Sequence, residues 1–109
     1  MSNATTNAPL PPMPAWATER EDTDYDVPGD GFTRFSGNLG HATALNVDDH
    51  TRKVTLELIG VEYSQEFAPN VVWIEVRQGQ GIRLMLTPTQ GRELSDRLIK
   101  AAHRMEAGR

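Results

Sequence analysis

The residues that could do chemistry in this sequence are three histidines and the carboxylates beside one of them. Asp48, Asp49 and His50 place two carboxylates and an imidazole, all ligands of divalent cations, at consecutive positions. His41 and His103 lie on other predicted elements, so no histidine is matched with a nucleophile. Three chain-adjacent ligands without a distant fourth favour a solvated turn over a metal site. We therefore predict a protein that is not an enzyme and uses no metal and no cofactor.

Two further classes of site are disfavoured by residue type and position. The sequence has no cysteine, which excludes disulfides, thiolate metal sites and cysteine nucleophiles. Gly79 and Gly81 resemble part of a phosphate loop, but we predict that they join two strands, where backbone amides do not converge on an anion. The sequence also shows no signal-peptide pattern and no apolar run of about 20 residues. We expect a cytoplasmic protein that binds no membrane.

Charge is divided unevenly along the chain, whose formal net charge is -4. Residues 1–30 carry six acidic side chains and one arginine, whereas residues 77–109 carry seven basic and three acidic side chains. The candidate nucleic-acid-binding residues in the basic part are Arg97, Lys100 and Arg104. Because Glu93 and Asp96 each precede one of these cations by one helical turn, a solvated helix face is the preferred interpretation. Nucleic-acid binding through this basic stripe is the alternative function.

The best-specified element is a C-terminal helix. Thr87 suits its N-cap, Pro88 its first position, and Gln90 completes a capping box, while Gly108 marks its end. An apolar stripe, here called the α1 stripe, follows helical spacing through Leu94, Leu98, Ala101, Ala102 and Met105. We expect this stripe to lie across the apolar face of a sheet.

Alternating apolar residues predict about four antiparallel strands before this helix. The clearest strand has Val54, Leu56 and Leu58 on one face. The predicted strands are residues 41–47, 53–59, 71–77 and 82–86. A turn is expected at residues 37–40, and residues 61–67 fit either a continued strand or a loop. The predicted fold class is α+β, with a small antiparallel sheet packed against one amphipathic helix in a single domain at residues 31–109.

The face of the sheet opposite the helix is the strongest candidate for a binding surface. Val71, Trp73 and Met85 point to that side in the predicted alternation. Either the N-terminal segment, with Trp16 or Phe35, covers this face, or the face is an interface with another protein or a second copy.

The N-terminal residues 1–30 are acidic and rich in proline, and we expect them to be disordered. Trp16 within them has two interpretations. It folds back onto the domain as an apolar clip, or it anchors a partner, since tryptophans are frequent hot-spot residues. The candidate interaction surface therefore comprises Trp16, Val71, Trp73 and Met85.

The order of motifs resembles a family of small actinobacterial and actinobacteriophage proteins of unknown function. Pro14-Ala15-Trp16 is similar to the family's opening Cys-Pro-x-Trp-Cys element, and residues 86–90, Leu-Thr-Pro-Thr-Gln, are similar to the start of its final helix. Met13 and Ala17 stand where the family has its cysteines, and Gly91 replaces a helix alanine, so any role of a cysteine pair is excluded here. The resemblance implies an origin and no mechanism.

These observations together predict a non-enzymatic protein-interaction or regulatory module. The resemblance suggests a phage or mobile-element accessory protein that binds a host protein or associates with itself, with a homodimer as one form. Two features of the sequence support this prediction: the uncovered Trp73 face and the acidic N-terminal segment that carries Trp16.

Overall fold

The structure is a computed structural model that describes residues 12–23, 31–65 and 68–108. Its elements are β1 (Glu19–Thr23), β2 (Phe32–Leu45), β3 (Lys53–Gln65), β4 (Ala68–Gln78), β5 (Gly81–Leu86) and α1 (Pro88–Ala107). The strands form one antiparallel sheet in which each strand pairs with its chain neighbours. The predicted α+β class, with an antiparallel sheet and a C-terminal helix, is confirmed. The sheet has five strands instead of about four.

The additional strand is β1, which lies within the segment that we predicted to be disordered. It pairs with β2 from Glu19 opposite Ser36 to Thr23 opposite Phe32. The prediction was wrong for this stretch because β1 is held by backbone pairing and has no apolar alternation that would reveal it. The hydroxyl of Thr33 also donates a hydrogen bond of 2.6 Å to Asp22. Residues 12–18 of the same segment are also described, and the amide of Ala17 donates a hydrogen bond of 3.0 Å to the Pro14 carbonyl. Residues 1–11 and 24–30 lie outside the described residues.

The predicted turn at residues 37–40 is a β-bulge within one long strand. The register of β2 against β3 shifts between Asn38 and Gly40. The Asn38 side chain accepts a hydrogen bond of 2.9 Å from the Gly40 amide, and Gly40 has a φ of 145°, which favours glycine. The sequence pattern of a turn was correct in its local chemistry, but the strand continues through it. The ambiguous stretch after Gly60 is strand as far as Gln65.

The strand register divides the sheet into two faces, because successive side chains point to opposite sides. The helix-side face carries Phe35, Gly37, Gly60 and Ile74, and the aromatic face carries Phe32, Tyr63, Val61, Trp73 and Glu75. Few side chains are fully buried among the described residues. The buried apolar ones are Phe35 and Val61, one on each face, and the buried polar ones are Thr33 and Glu75. This core is thin for a chain of 109 residues.

Trp16 covers the middle of the helix-side face. Gly37 and Gly60 pair across β2 and β3, and together they leave a space without side chains. A Cβ atom at Gly60 would lie 3.0 Å from the Trp16 ring, and one at Gly37 would lie 3.1 Å from the Ala17 Cα. The amide of Thr18 donates a hydrogen bond of 2.9 Å to the Ser36 carbonyl, which fixes this segment beside β2. The clip interpretation of Trp16 therefore agrees with its position.

The start of α1 has the predicted capping chemistry. The Gln90 amide donates to the Thr87 hydroxyl at 3.1 Å, and the Thr87 amide donates to the Gln90 side-chain oxygen at 2.9 Å. This reciprocal pair satisfies two amides that have no partner within the helix. Pro88 occupies the first turn as expected.

The sheet packs with α1, as predicted, but the packing does not bury the α1 stripe. The helix contacts β4 and β5 near its start. A Cβ atom added there, at Gly91, would lie 3.4 Å from the Ile74 side chain. No residue of α1 is buried, and Leu98 and Met105 are 60% and 75% exposed. One reason is length, because α1 spans about 30 Å and β5 about 20 Å. A second reason is that Trp16 already lies over the middle strands.

The consequence is an elongated molecule. Its principal extents are 72, 25 and 21 Å, and its radius of gyration is 19.2 Å. A compact domain of similar length has a radius of gyration of about 13 Å. In this elongated shape, most residues of β5 and α1 are in contact with solvent.

Candidate functional site

The aromatic face carries three rings in a row across three strands. Phe32 on β2 lies 5.2 Å from Tyr63 on β3, tilted by 55°, and Tyr63 stacks on Trp73 of β4 at 5.3 Å. These are centroid distances typical of favourable aromatic pairs. The pairs join neighbouring strands on one face, so they stabilise the sheet and present a partly exposed aromatic surface.

Beside this row lies a polar network centred on Glu75. Its side chain accepts a hydrogen bond of 2.8 Å from the Trp73 indole N–H, and its other oxygen accepts one of 2.9 Å from Arg77 Nε. The terminal nitrogen of Arg77 also bonds this carboxylate. Glu75 is 3% exposed, so its charge is buried but well paired.

The pKa of Glu75 is the balance of opposing effects. Burial disfavours the charged form and raises the pKa. The hydrogen bonds from Trp73 and Arg77 and the positive charges of Arg77 and Arg34 act in the other direction. The net result is a pKa below the ordinary value of 4.5. Glu75 is therefore an ionised structural group at neutral pH and not a carboxyl poised to exchange a proton.

The structure brings together three of the four predicted interaction residues. Val71 and Trp73 share the aromatic face of β4, and Met85 lies opposite Glu75 on that same face. Trp16 is on the other face, over Gly60. Trp16 therefore does not belong to one surface with the other three. Val71 and Met85 are exposed, whereas Trp73 is half-buried.

The expectation that Trp16 or Phe35 covers the Trp73 face is also wrong. Phe35 is buried on the helix-side face, where the guanidinium of Arg20 lies 5.7 Å from its ring centroid. Register explains both positions, since Phe35 pairs with Glu62 and not with the residues that face Trp73. Within the described residues, no element lies over the aromatic face.

A shallow polar depression adjoins the Glu75 network. Its volume is about 350 Å³, and it is lined by side chains that include Arg34, Ser36, Glu57 and Arg77. Its lining includes both basic and acidic side chains, and no histidine is among these lining residues. This arrangement does not form a nucleophile with a base. In the part of the chain that the structure describes, no three metal-ligating side chains are grouped.

The turn that contains His50 is organised by its own side chains. Asn46 accepts hydrogen bonds from the amides of Asp48 and Asp49, and Asp49 accepts one of 3.1 Å from the amide of Thr51. His50 Nε2 lies 3.2 Å from the Val47 carbonyl oxygen. The bond from the Thr51 hydroxyl is the main cause of a lowered pKa at Asp49. These contacts are those of a tight polar turn.

The apolar side chains of the α1 stripe are exposed, including Leu94, Leu98 and Met105. Its spacing continues from Gly91, which faces Ile74, through Leu94, Leu98, Ala101 and Met105 in alternating steps of three and four residues. The stripe thus begins over the sheet and continues beyond the helix's contact with it. A repeat of this kind is the pattern with which a helix packs along another element.

The candidate nucleic-acid-binding residues lie on one exposed side of α1. Arg97, Lys100 and Arg104 are all exposed. Arg97 lies 3.5 Å from Glu93, so one of the three cations has an acidic neighbour. The surface beside the stripe is therefore basic but not uniformly so.

Sequence reasoning missed two features of these surfaces. The first is the bond from Trp73 to Glu75, for which the signal was an acidic residue two positions after a tryptophan on the same strand face. The second is the exposure of the α1 stripe. Its signal was the step pattern of three and four residues, which extends further than a strand of six residues can cover.

Comparisons with known proteins give no relative for this chain. No protein-family model matches the sequence, and no curated protein and no solved structure matches it either. The resemblance to small actinobacterial proteins therefore stays a prediction. Among the described residues, no helix combines the length and the apolar character needed to cross a membrane.

Proposed function

We propose that this chain is a protein-interaction module that binds its partner through the α1 stripe. The observation that carries the proposal is that a helix of 20 residues contains no buried side chain. In proteins, packing of an apolar face supplies most of the stability of a helix, and intrinsic helix propensity supplies little of it. A partner that covers Leu94, Leu98 and Met105 supplies this packing.

The aromatic face is the secondary surface in this proposal. The Trp73 N–H is already bonded to Glu75, and the Trp73 ring stacks on Tyr63. A partner gains less from a ring that is already engaged than from side chains that have no neighbours. Val71 and Met85, which are exposed, remain available at the border of this face.

A non-enzymatic role is part of the proposal. It is supported by Glu75, which is the buried carboxylate among the described residues and has both oxygens engaged by Trp73 and Arg77. The proposal also includes a cytoplasmic location and an origin as a phage or mobile-element accessory protein. Support for these two points comes from the sequence pattern and the family resemblance.

The test is site-specific photo-crosslinking in cells. A photoreactive amino acid is placed at Leu98, and in a matched control at Val47, which is 84% exposed in the β2–β3 turn. We expect a protein adduct from position 98 and none from position 47. Equal adducts at both positions, or none at position 98, would contradict the proposal.

Binding of nucleic acid through the basic side of α1 is the alternative. The observation that favours it is the exposure of Arg97, Lys100 and Arg104 on one side of the helix. A gel shift that weakens steeply with salt and is lost in the Arg97→Glu/Arg104→Glu variant would support it, because phosphate contacts release counterions. Absence of a shift at low salt would remove this alternative.

A further inference from the structure

The two edges of the sheet differ in how they are protected. The edge strand β1 reads Glu-Arg-Glu-Asp-Thr, and charged side chains on an edge discourage pairing with another strand. The other edge strand, β5, reads Gly-Ile-Arg-Leu-Met-Leu and carries one charge. Ile82, Leu84 and Met85 are all exposed there. Among the described residues, no strand pairs with the outer edge of β5, which therefore offers unpaired backbone groups together with apolar side chains.

Exposed side chains on β5 point to both faces of the sheet. Leu84 pairs with Val76 on the helix-side face, whereas Met85 pairs with Glu75 on the aromatic face. Another strand that pairs with β5 would satisfy the backbone groups of its edge and contact side chains on both faces. A ligand lying on one face would cover either Leu84 or Met85 and leave the other exposed. This geometry favours a partner that extends the sheet.

We infer that the partner is a second copy of this chain, which pairs β5 with β5 in antiparallel orientation and covers the α1 stripe. This inference rests on the proposed function and names the partner. The surface involved is here called the β5–α1 surface. Its apolar residues are Ile82, Leu84, Met85, Leu94, Leu98 and Met105.

The sequence of β5 is compatible with pairing to itself. The register of β5 against β4 skips Arg83, so residues 84–86 are the regular part of the strand. In a two-fold arrangement centred on Met85, Leu84 lies opposite the partner's Leu86, and Arg83 lies opposite the partner's Thr87. Arginine does not face arginine in this register.

The exposed area agrees with a dimer interface of ordinary size. Six apolar side chains that are 38% to 75% exposed make up the β5–α1 surface. At roughly 100 Å² each they supply about 600 Å², and the β5 backbone adds to this, compared with about 800 Å² per partner in a standard interface. The strand edge alone would be too small, which is why the same partner has to contact both β5 and α1.

The thin core provides an independent reason. Phe35 and Val61 are the fully buried apolar side chains among the described residues. Small domains with little buried surface commonly depend on oligomerisation. Association through β5 joins two five-stranded sheets into one of ten strands and buries apolar surface that one copy leaves in solvent.

The test is sedimentation velocity of the full chain over a dilution series, with three variants. Met85→Glu changes β5, and Leu98→Glu/Met105→Glu changes α1. Val47→Glu is the control at an exposed site outside the surface. All replaced side chains are exposed, so circular dichroism should show that each variant folds. We expect the wild-type chain and the control variant each to form a dimer. In both surface variants, the dissociation constant of the dimer should rise at least about tenfold.

Other outcomes overturn the inference in distinguishable ways. A wild-type chain that is monomeric at every concentration removes the second copy as partner. A dimer that tolerates both surface variants shows that another surface pairs. If a monomeric chain forms a crosslink to a different protein from position 98, the proposed function stands while the second-copy inference falls. Concentration-dependent protection of β5 amides from hydrogen exchange gives separate support for strand pairing.

Discussion

The two ends of this sheet differ in whether the chain itself covers their apolar side chains. At the end formed by β1, β2 and β3, Trp16 covers the paired glycines Gly37 and Gly60, and Phe35 is buried beneath its neighbours. At the end formed by β5 and α1, the apolar side chains are exposed and α1 has no buried residue. The chain covers its own apolar surface at the first end, and it leaves apolar side chains exposed, as at a protein interface, at the second. Substitutions at the first end should therefore change folding, and those at the second should change association.

The largest expected effect at the self-covered end is from Trp16→Ala. Removal of the ring uncovers Gly60, and we expect the free energy of unfolding to fall by about 2–4 kcal/mol. Chemical denaturation of the full chain measures this loss. The matched variant Leu98→Ala, at an exposed apolar site of α1, should change the stability of the monomer by less than about 0.5 kcal/mol. Equal losses in the two variants would contradict the comparison.

A second effect concerns Glu75, the buried carboxylate that accepts hydrogen bonds from Trp73 and Arg77 on the aromatic face. Glu75→Ala leaves the Trp73 indole N–H and the Arg77 guanidinium without their acceptor, and we expect a loss of about 1–3 kcal/mol. Glu75→Gln keeps a side-chain oxygen of similar shape and should lose less. Denaturant melts of both variants check this order. The account of the network is wrong if Gln and Ala are equally destabilising.

The same carboxylate predicts a dependence of stability on pH. The folded pKa of Glu75 is lowered from 4.5, so its ionised form stabilises the fold at neutral pH. This contribution is fully present above 4.5 and is lost as the pH falls through the lowered folded pKa. Melting temperatures across this range should fall more steeply in the wild-type chain than in Glu75→Gln. Asp22, whose pKa the Thr33 hydroxyl lowers, adds a similar dependence, which Asp22→Asn removes.

An effect of similar size is expected at Gly37, where an added methyl group would meet backbone atoms. A Cβ at Gly37 would clash with the Trp16 carbonyl and lie 3.1 Å from Ala17 Cα. Backbone cannot move aside as a flexible side chain can, so Gly37→Ala should cost about 1–3 kcal/mol and weaken the Trp16 clip. Tryptophan fluorescence during denaturation reports both changes. An Ala variant with wild-type stability would show that Trp16 is not held at this position.

The smallest effect has the opposite sign. Gly91 lies in the first turns of α1, and a Cβ there would lie 3.4 Å from the Ile74 side chain, close to ordinary contact. Alanine favours the helix over glycine, so Gly91→Ala should raise the free energy of unfolding by up to about 1 kcal/mol. Thermal melts by circular dichroism measure this gain. A loss of stability would indicate that α1 packs more tightly on β4 than described.

The features that were predictable from sequence are those set by local chemistry. Thr87 and Gln90 form the predicted capping box because both partners lie within one helical turn. The alternation in β3 and β4 identifies strands and their faces because it has a period of two. Asn38 and Gly40 gave the right local geometry, but a bulge and a turn use the same residues, and only pairing with β3 separates them.

The features that were not predictable depend on distant neighbours. The strand β1 has no apolar alternation, and its place is fixed by pairing with β2. Trp16 lies on the opposite face from Trp73 because Gly37 and Gly60 are paired, which is a property of register. The exposure of the α1 stripe follows from where the helix leaves the sheet. Helical periodicity shows which residues share a side, and it does not show whether anything covers that side.

The most direct test of the central claim is the accessibility of the α1 stripe, and the chain is suited to it because it contains no cysteine. Leu98→Cys and the control Val47→Cys each introduce a single thiol, whose labelling by a maleimide is timed in cells and in the purified chain at several concentrations. We predict slow labelling at position 98 in cells and at high concentration, faster labelling on dilution, and fast labelling at position 47 throughout. Equally fast labelling at both positions under all conditions would contradict the claim that a partner covers the stripe.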